Sequence, residues 1–210
     1  MKICIVGNSE SILDRENGSY IDTFDKVLRC NRCKVRGYEK YVGSRYDIHC
    51  QPYLSNENKY TELKNNNCEE LNMYNDLWLI CHGTGSTNHN SLQIEDITAN
   101  ITTIDKETHT RLSLDNNVPA EKKLSIGVTS ILLAKNLYPD CEIHIIGFDS
   151  YQTGLYFETS LKPLTWRPEG IERFGRRRRI RYHRNKQDND WKIEKQILYN
   201  MEIHNEITYI

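Results

Sequence analysis

The chain has 210 residues, enough to bury a sizeable core, and ordinary domain sizes make a single domain spanning 1–210 the expectation. Its 28 Lys and Arg offset 29 Asp and Glu to a formal charge of -1, which excludes a global field drawing it onto nucleic acid or a membrane surface. The longest apolar runs, residues 143–146 and 77–81, fall far short of the roughly 20 residues that cross a bilayer, so no membrane span is expected.

Residues 2–6 form a short β-branched run stopped by Gly7-Asn8-Ser9, the pattern of a buried strand ending in a loop. This start lacks the long apolar stretch and small-residue cleavage site of a signal peptide, so a cytoplasmic location is the expectation. Residues 26–29 read as a second strand. Residues 47–50, before Gln51-Pro52, read as a third, because the residue preceding proline is held extended. Residues 77–81 and 101–104 are a fourth and fifth. Ile126, Val128, Ile131, Leu132, Leu133 and Leu137 then recur at helical spacing, between Pro119 and Tyr138-Pro139, and feed a strand over 143–146. Trp191, Ile197, Leu198 and Met201 mark a last helix, with Asp188 or Asp190 to cap it. Val- and Ile-rich strands alternating with helices predict an α/β, Rossmann-like domain with a mainly parallel sheet flanked by helices, and ligand at the carboxyl ends of its strands. Residues 55–75 and 151–188 lack a pattern. The second stretch is too long for a plain connection, and predicts an active-site lid.

Seven cysteines, odd in number and irregularly spaced, read as reduced core thiols. Cys30-Asn31-Arg32-Cys33 is a lone CxxC with no second pair at zinc-finger spacing, so ordinary buried thiols are favoured over a structural metal.

Three stretches carry chemistry. In the first, Val6-Gly7-Asn8-Ser9 precedes Ile21-Asp22-Thr23-Phe24-Asp25-Lys26-Val27-Leu28-Arg29-Cys30-Asn31, and then Gly37-Tyr38-Glu39 and Val42-Gly43-Ser44-Arg45. Gly7 would let a ligand approach the backbone, and Asn8 and Asn31 each offer a donor and an acceptor at a strand end, suited to a nucleotide. Asparagines also cap turns, and the residues alone leave both readings open. The second stretch, Leu124-Ser125-Ile126-Gly127-Val128-Thr129, opens the central helix, where free N–H groups favour an anion, although a plain serine cap is the commoner reason for Ser125. The third is Ile146-Gly147-Phe148-Asp149-Ser150-Tyr151-Gln152-Thr153-Gly154-Leu155-Tyr156, whose phenols could donate to a developing phosphate charge or simply pack.

The first stretch closely resembles the large sialyl motif of the animal-type sialyltransferases, glycosyltransferase family 29. The second resembles the small sialyl motif, with Ser125, Gly127 and later Leu133-Ala134 in place, while Leu124 and Ile126 depart from it. The third resembles a run of the bacterial family 42 sialyltransferases, and family 29 would instead have a histidine at Leu155. The resemblance implies a GT-A-variant fold and a CMP-sialic acid donor bound by Gly7, Asn8, Ser9, Asn31, Gln51, Ser125 and Gly127. Gln51-Pro52 stands where family 42 has Asn-Pro, an amide for an amide. It further implies Tyr151 and Tyr156 on the leaving phosphate, a glycan hydroxyl as acceptor, and inverting transfer without a metal or other cofactor.

A base must take the acceptor's proton, and histidine is the obvious residue. Family 29 spacing, counted back from Glu194, lands on Asn189, which cannot serve; family 42 spacing lands near His183. His183 is therefore the expected base, ahead of His49, His82, His89, His109, His144 and His204. Its neighbours Arg181 and Arg184 disfavour the imidazolium. The run Arg173, Arg176, Arg177, Arg178, Arg179, Arg181, Arg184 is read as the charged part of the lid rather than a nucleic-acid grip. Two rivals are a CMP-sugar hydrolase that has lost acceptor transfer, and a polyanion binder acting through the Arg173 to Arg184 cluster.

Overall fold

A computed structural model describes residues 1–31, 33–53, 71–81, 97–119, 124–149 and 188–210. The described strands are β1 (Lys2–Val6), β2 (Lys26–Cys30), β3 (Ile48–Tyr53), β4 (Asp76–Cys81), β5 (Asn100–Ile104), β6 (Glu142–Ile146) and β7 (Thr208–Tyr209). They form one sheet in the order β5-β4-β3-β2-β1-β6-β7, and every neighbouring pair is parallel. Parallel strands need crossovers, and among the described residues helices lie in those from β1 to β2, β2 to β3, β5 to β6 and β6 to β7: α1 (Gly18–Ile21), α2 (Glu39–Val42), α3 (Lys106–Asp115), α4 (Ile126–Leu137) and α5 (Asp188–Ile203).

Strand alternation splits the core between the two faces. Ile3, Ile5, Leu28, Ile48, Cys50 and Trp78 pack with Ile131 and Leu132 of α4 and with Ile197, Leu198 and Met201 of α5. Cys4, Val6, Val27 and Ile146 face the other way, onto Ile12, Ile21, Phe24 and Val42. Helices on both faces of a parallel sheet are the α/β, Rossmann-like fold expected from the sequence.

The β3 strand runs further than expected, through Pro52 to Tyr53. Its pairing with β2 stops at Cys50, whereas its pairing with β4 continues to Tyr53. In a parallel strand alternate residues turn their polar groups to the same side. Cys50 offers its carbonyl to Asn31 N at 2.8 Å, so the N–H that Pro52 lacks would have faced β2. The proline ends the β2–β3 ladder and leaves the other side intact. Helix α3 and strand β7 had no sequence signal: α3 buries only His109, Leu112 and Ser113, too few for a periodic stripe. Its start is set by Asp105, whose side chain accepts from Thr108 N.

Cys30 and Cys33 do not share a site. Cys30 lies 3.0 Å from Ser130 Oγ on the α4 side, whereas Cys33 lies 3.2 Å from Tyr74 Oη. Among the described residues Cys4, Cys30, Cys33, Cys50 and Cys141 are free thiols, and burial pushes Cys4 and Cys30 up to about 12.

Candidate active site

The chain builds outward from β1 to β5, then returns to place β6 on the opposite side of β1. The carboxyl ends of β1 and β6 therefore flank a topological switch point, where open parallel sheets bind ligands. Their two loops interlock. Gly7 N donates to Ile146 O at 2.7 Å and Ser9 N to Gly147 O at 3.1 Å. A methyl on Gly7 would sit 2.2 Å from Gly147 O, and one on Gly127 would sit 2.9 Å from the Phe148 ring. The open side of Gly7 is thus filled by protein, and Phe148 packs beside both Gly7 and Gly127. Residues from all three sequence stretches meet at this point.

Next to it stands a row of amides. Asn31 N donates to Cys50 O at 2.8 Å, which seats Asn31 at the end of β2 beside the strand that carries Gln51, and Asn8 follows the end of β1 two residues past Val6. Asn8 Nδ2 donates to Cys30 O at 2.8 Å, which fixes the amide and turns Oδ1 the other way. Asn31 holds φ at 55°, a left-handed turn that asparagine tolerates, as the chain leaves β2. Asn8 Oδ1 and Gln51 Nε2 are buried and have no partner among the described residues. Buried polar atoms are nearly always satisfied, so this edge lacks one hydrogen-bond donor and one acceptor.

Ser9 and Ser125 are spent differently. Ser9 caps the 3-10 turn at Glu10–Asp14, its Oγ accepting from Ser11 N. Ser125 caps α4, its Oγ accepting from Val128 N at 3.3 Å. The carboxylate at this helix start belongs to Glu194 of α5, which accepts from Ser125 N and, at 3.0 Å, from Ser125 Oγ. The helix terminus expected to hold an anion thus holds one from the protein itself.

Behind the amide row lies a buried polar cluster whose members no sequence pattern groups. Arg29 is fully buried; its Nε donates to Arg45 O at 2.9 Å and Nη2 to Gly43 O at 3.2 Å, while Nη1 has no partner among the described residues. His49 lies across the ladder from Arg29, with Nδ1 3.7 Å from Cys33 Sγ. Burial holds His49 down to about 4, opposed by a hydrogen bond with Gln51 and reinforced by the Arg29 charge. Burial also raises the Tyr74 phenol well above its ordinary range. Among the described residues no group of three or more His, Cys, Asp or Glu could hold a metal, and no helix is long and apolar enough to cross a membrane.

The model of glycosyltransferase family 29, the sialyltransferases, matches residues 1–162. The chain belongs to that family. As a family 29 member it is a CMP-sugar-dependent glycosyltransferase. A mammalian sialyltransferase in complex with Gal-beta-1-3GalNAc-ortho-nitrophenol superposes with a TM-score of 0.59 at 17% identity, over 100% of this chain and 68% of that one. A second mammalian sialyltransferase structure gives 0.58 at 17%, with the same coverages. The sialyltransferase CstII from Campylobacter jejuni, with cytidine-5'-monophosphate, gives 0.47 at 20%, over 77% of this chain and 67% of that one. No curated protein sequence matches.

Of the donor-site residues expected from the sequence, the fold gathers Gly7, Asn8, Ser9, Asn31, Gln51, Ser125 and Gly127 at the carboxyl side of the sheet. Tyr151, Tyr156, His183, the Arg173 to Arg184 cluster and most of the lid lie outside the described residues, as do His82 and His89. Asn189 falls in the first turn of α5, five residues before Glu194. The remaining histidines have structural surroundings. His144 lies 3.6 Å from Glu142 and edge-on to Phe24, His109 is buried on α3, and His204 Nδ1 is 2.8 Å from Asn200 O.

Proposed function

We propose that this chain moves sialic acid from CMP-sialic acid to a glycan hydroxyl by inverting displacement without a metal. The observation that carries the reading is the pair of unsatisfied amide atoms, Asn8 Oδ1 and Gln51 Nε2, at adjoining strand ends in a family 29 fold. With Asn31 between them, they offer the nucleotide donor a fixed set of polar contacts. The acceptor oxygen attacks the anomeric carbon opposite the CMP, and the bond to the phosphate oxygen breaks with its electron pair, inverting the centre. Tyr151 and Tyr156 donate to the departing phosphate, and His183 takes the acceptor's proton. Ser125 and Gly127 serve as frame: Glu194 and Phe148 occupy the space beside them.

The test is release of CMP from CMP-sialic acid with and without galactose-terminated acceptors, in buffer and in EDTA. Transfer is expected only with acceptor, and unchanged by the chelator; loss on chelation with recovery in magnesium or manganese would contradict the metal-free mechanism. Asn189 favours a second reading, because family 29 spacing puts the base there and an amide takes no proton. In that case CMP would be released equally fast without acceptor, by hydrolysis. Absence of both CMP binding and CMP release would leave only the polyanion reading.

A further inference from the structure

We propose that His49 is a positioning residue for donor binding, holding the Gln51 amide so that its Nε2–H rather than its carbonyl is offered to the ligand. The inference rests on the donor-site reading above, and concerns a residue two positions from the amide it controls.

The geometry is a chain of contacts that runs from Tyr74 through Cys33 and His49 to Gln51. Tyr74 Oη lies 3.2 Å from Cys33 Sγ, and Cys33 Sγ lies 3.7 Å from His49 Nδ1. His49 and Gln51 are alternate residues of β3, so their side chains share a face, and the imidazole hydrogen-bonds the Gln51 side chain. An amide can meet a neutral imidazole in either of two orientations, and the tautomer decides which. If Nδ1 accepts from the Cys33 thiol, the other ring nitrogen carries the proton and donates to Gln51 Oε1. That leaves Nε2 as the unpaired atom of Gln51, and Nε2 is the buried atom without a partner among the described residues. The Tyr74 hydroxyl then donates to the Cys33 sulfur.

The surroundings keep the imidazole and the phenol of this chain neutral. Arg29 is fully buried across the ladder from His49, so a second positive charge there is opposed, and burial together with that charge outweighs the Gln51 hydrogen bond and holds the ring down to about 4. Burial likewise keeps the Tyr74 phenol protonated. At neutral pH the imidazole and the phenol therefore take part uncharged. The polarity of the edge follows. Gln51 offers a donor, and Asn8, whose Nδ2 is engaged by Cys30 O, offers an acceptor. A ligand fits this pair when it places an anionic or carbonyl oxygen at Gln51 and an O–H or N–H at Asn8. The oxygen at Gln51 belongs either to the phosphate of the nucleotide or to the carboxylate of the sugar acid.

A double-mutant cycle tests this, read by calorimetry with cytidine, CMP and a non-transferable CMP-sialic acid analogue as probes. His49→Phe, which keeps the ring beside Tyr74, is expected to weaken binding roughly three- to tenfold, the size of one neutral hydrogen bond. In a Gln51→Ala background the same substitution should change binding little. Equal losses in both backgrounds would mean that His49 is merely structural, and would overturn the proposal. A loss with CMP but not cytidine places the phosphate at Gln51, and a loss confined to the CMP-sugar analogue places the carboxylate there; either supports the polarity. Should the Phe variant fail to fold, nitrogen-15 imidazole shifts of the wild-type protein decide, with a protonated Nδ1 overturning the inference. A wild-type protein that binds none of the three probes defeats the donor reading itself, whereas binding lost in Asn8→Ala but additive in the cycle defeats only this inference.

Discussion

The carboxyl edge of β1, β2 and β3 and the amino end of α4 present the same kinds of group, short polar side chains and exposed backbone, yet they are spent in opposite ways. At the strand edge Asn8 Oδ1 and Gln51 Nε2 are buried without partners among the described residues. At the helix start Ser125 already binds Glu194, and the face of Gly127 is closed by Phe148. Residue type and position nominate a site, but whether the protein itself supplies the partner decides it. The strand edge is the proposed donor site; the helix start is braced.

This contrast is easiest to break at the glycines. Gly7→Ala would drive a methyl to 2.2 Å from the Gly147 carbonyl oxygen, backbone that cannot step aside, and a loss of roughly 3 kcal/mol in denaturant unfolding is expected. Gly127→Ala meets only the Phe148 ring at 2.9 Å, which can shift, and gains about 1 kcal/mol of helix propensity. It should cost little. Equal costs at the two sites would mean that the interlock of the β1 and β6 loops does not hold the switch point together.

The polar cluster behind the strand edge gives a pH signature. His49 sits at about 4 against an ordinary 6.5, so between those values the unfolded chain binds a proton that the folded chain refuses. Stability from this residue is intact above about 6.5, and roughly 3 kcal/mol is lost as pH falls to about 4. Unfolding free energies measured across that range should show the slope, and His49→Phe should flatten it. An unchanged slope in the variant would mean that His49 is reached by water.

How far the sequence reached follows the same division. Strands β1 to β6 and helix α4 were legible because Val and Ile runs and a 3.6 period report burial directly, and Asn8, Asn31 and Gln51 were legible because a family pattern singled out strand ends. The Glu194 to Ser125 bond was only half visible. Spacing marked both residues, but their meeting depends on α5 packing beside α4, a contact between positions 69 apart. The Arg29 to His49 cluster was not visible at all. Nothing in the local pattern tells a buried arginine from an exposed one, and Arg29 reads as the polar member of an ordinary strand until the carbonyls of Gly43 and Arg45 are found around it.

A binding edge separated from its frame leaves the proton transfer to another segment, and His183 is the residue proposed for it. His183→Ala should lower kcat roughly a hundredfold or more with little change in donor affinity, as removal of a positioned general base does. A normal kcat would send the search to His82, or support a hydrolase in which Asn189 marks the missing base.

The smallest effects separate the two regions most cleanly, because each should appear in one measurement and not the other. Asn31→Ala is expected to weaken CMP binding about tenfold, the cost of one lost polar contact. Its cost in stability is about 1 kcal/mol, since alanine at φ 55° loses the tolerance that asparagine has there. Ser125→Ala removes a helix cap and one of the two bonds to Glu194, so about 1 to 2 kcal/mol of stability should go while CMP affinity stays within twofold. Calorimetry with CMP and denaturant melts on both variants give four numbers. If Ser125→Ala loses affinity without losing stability, the helix start touches the donor after all, and Glu194 stands where the donor's anionic group displaces it. If Asn31→Ala binds CMP normally, the row of amides is an ordinary set of turn residues. Only the crossed result, affinity lost at the strand edge and stability lost at the helix start, keeps the two regions in their separate roles.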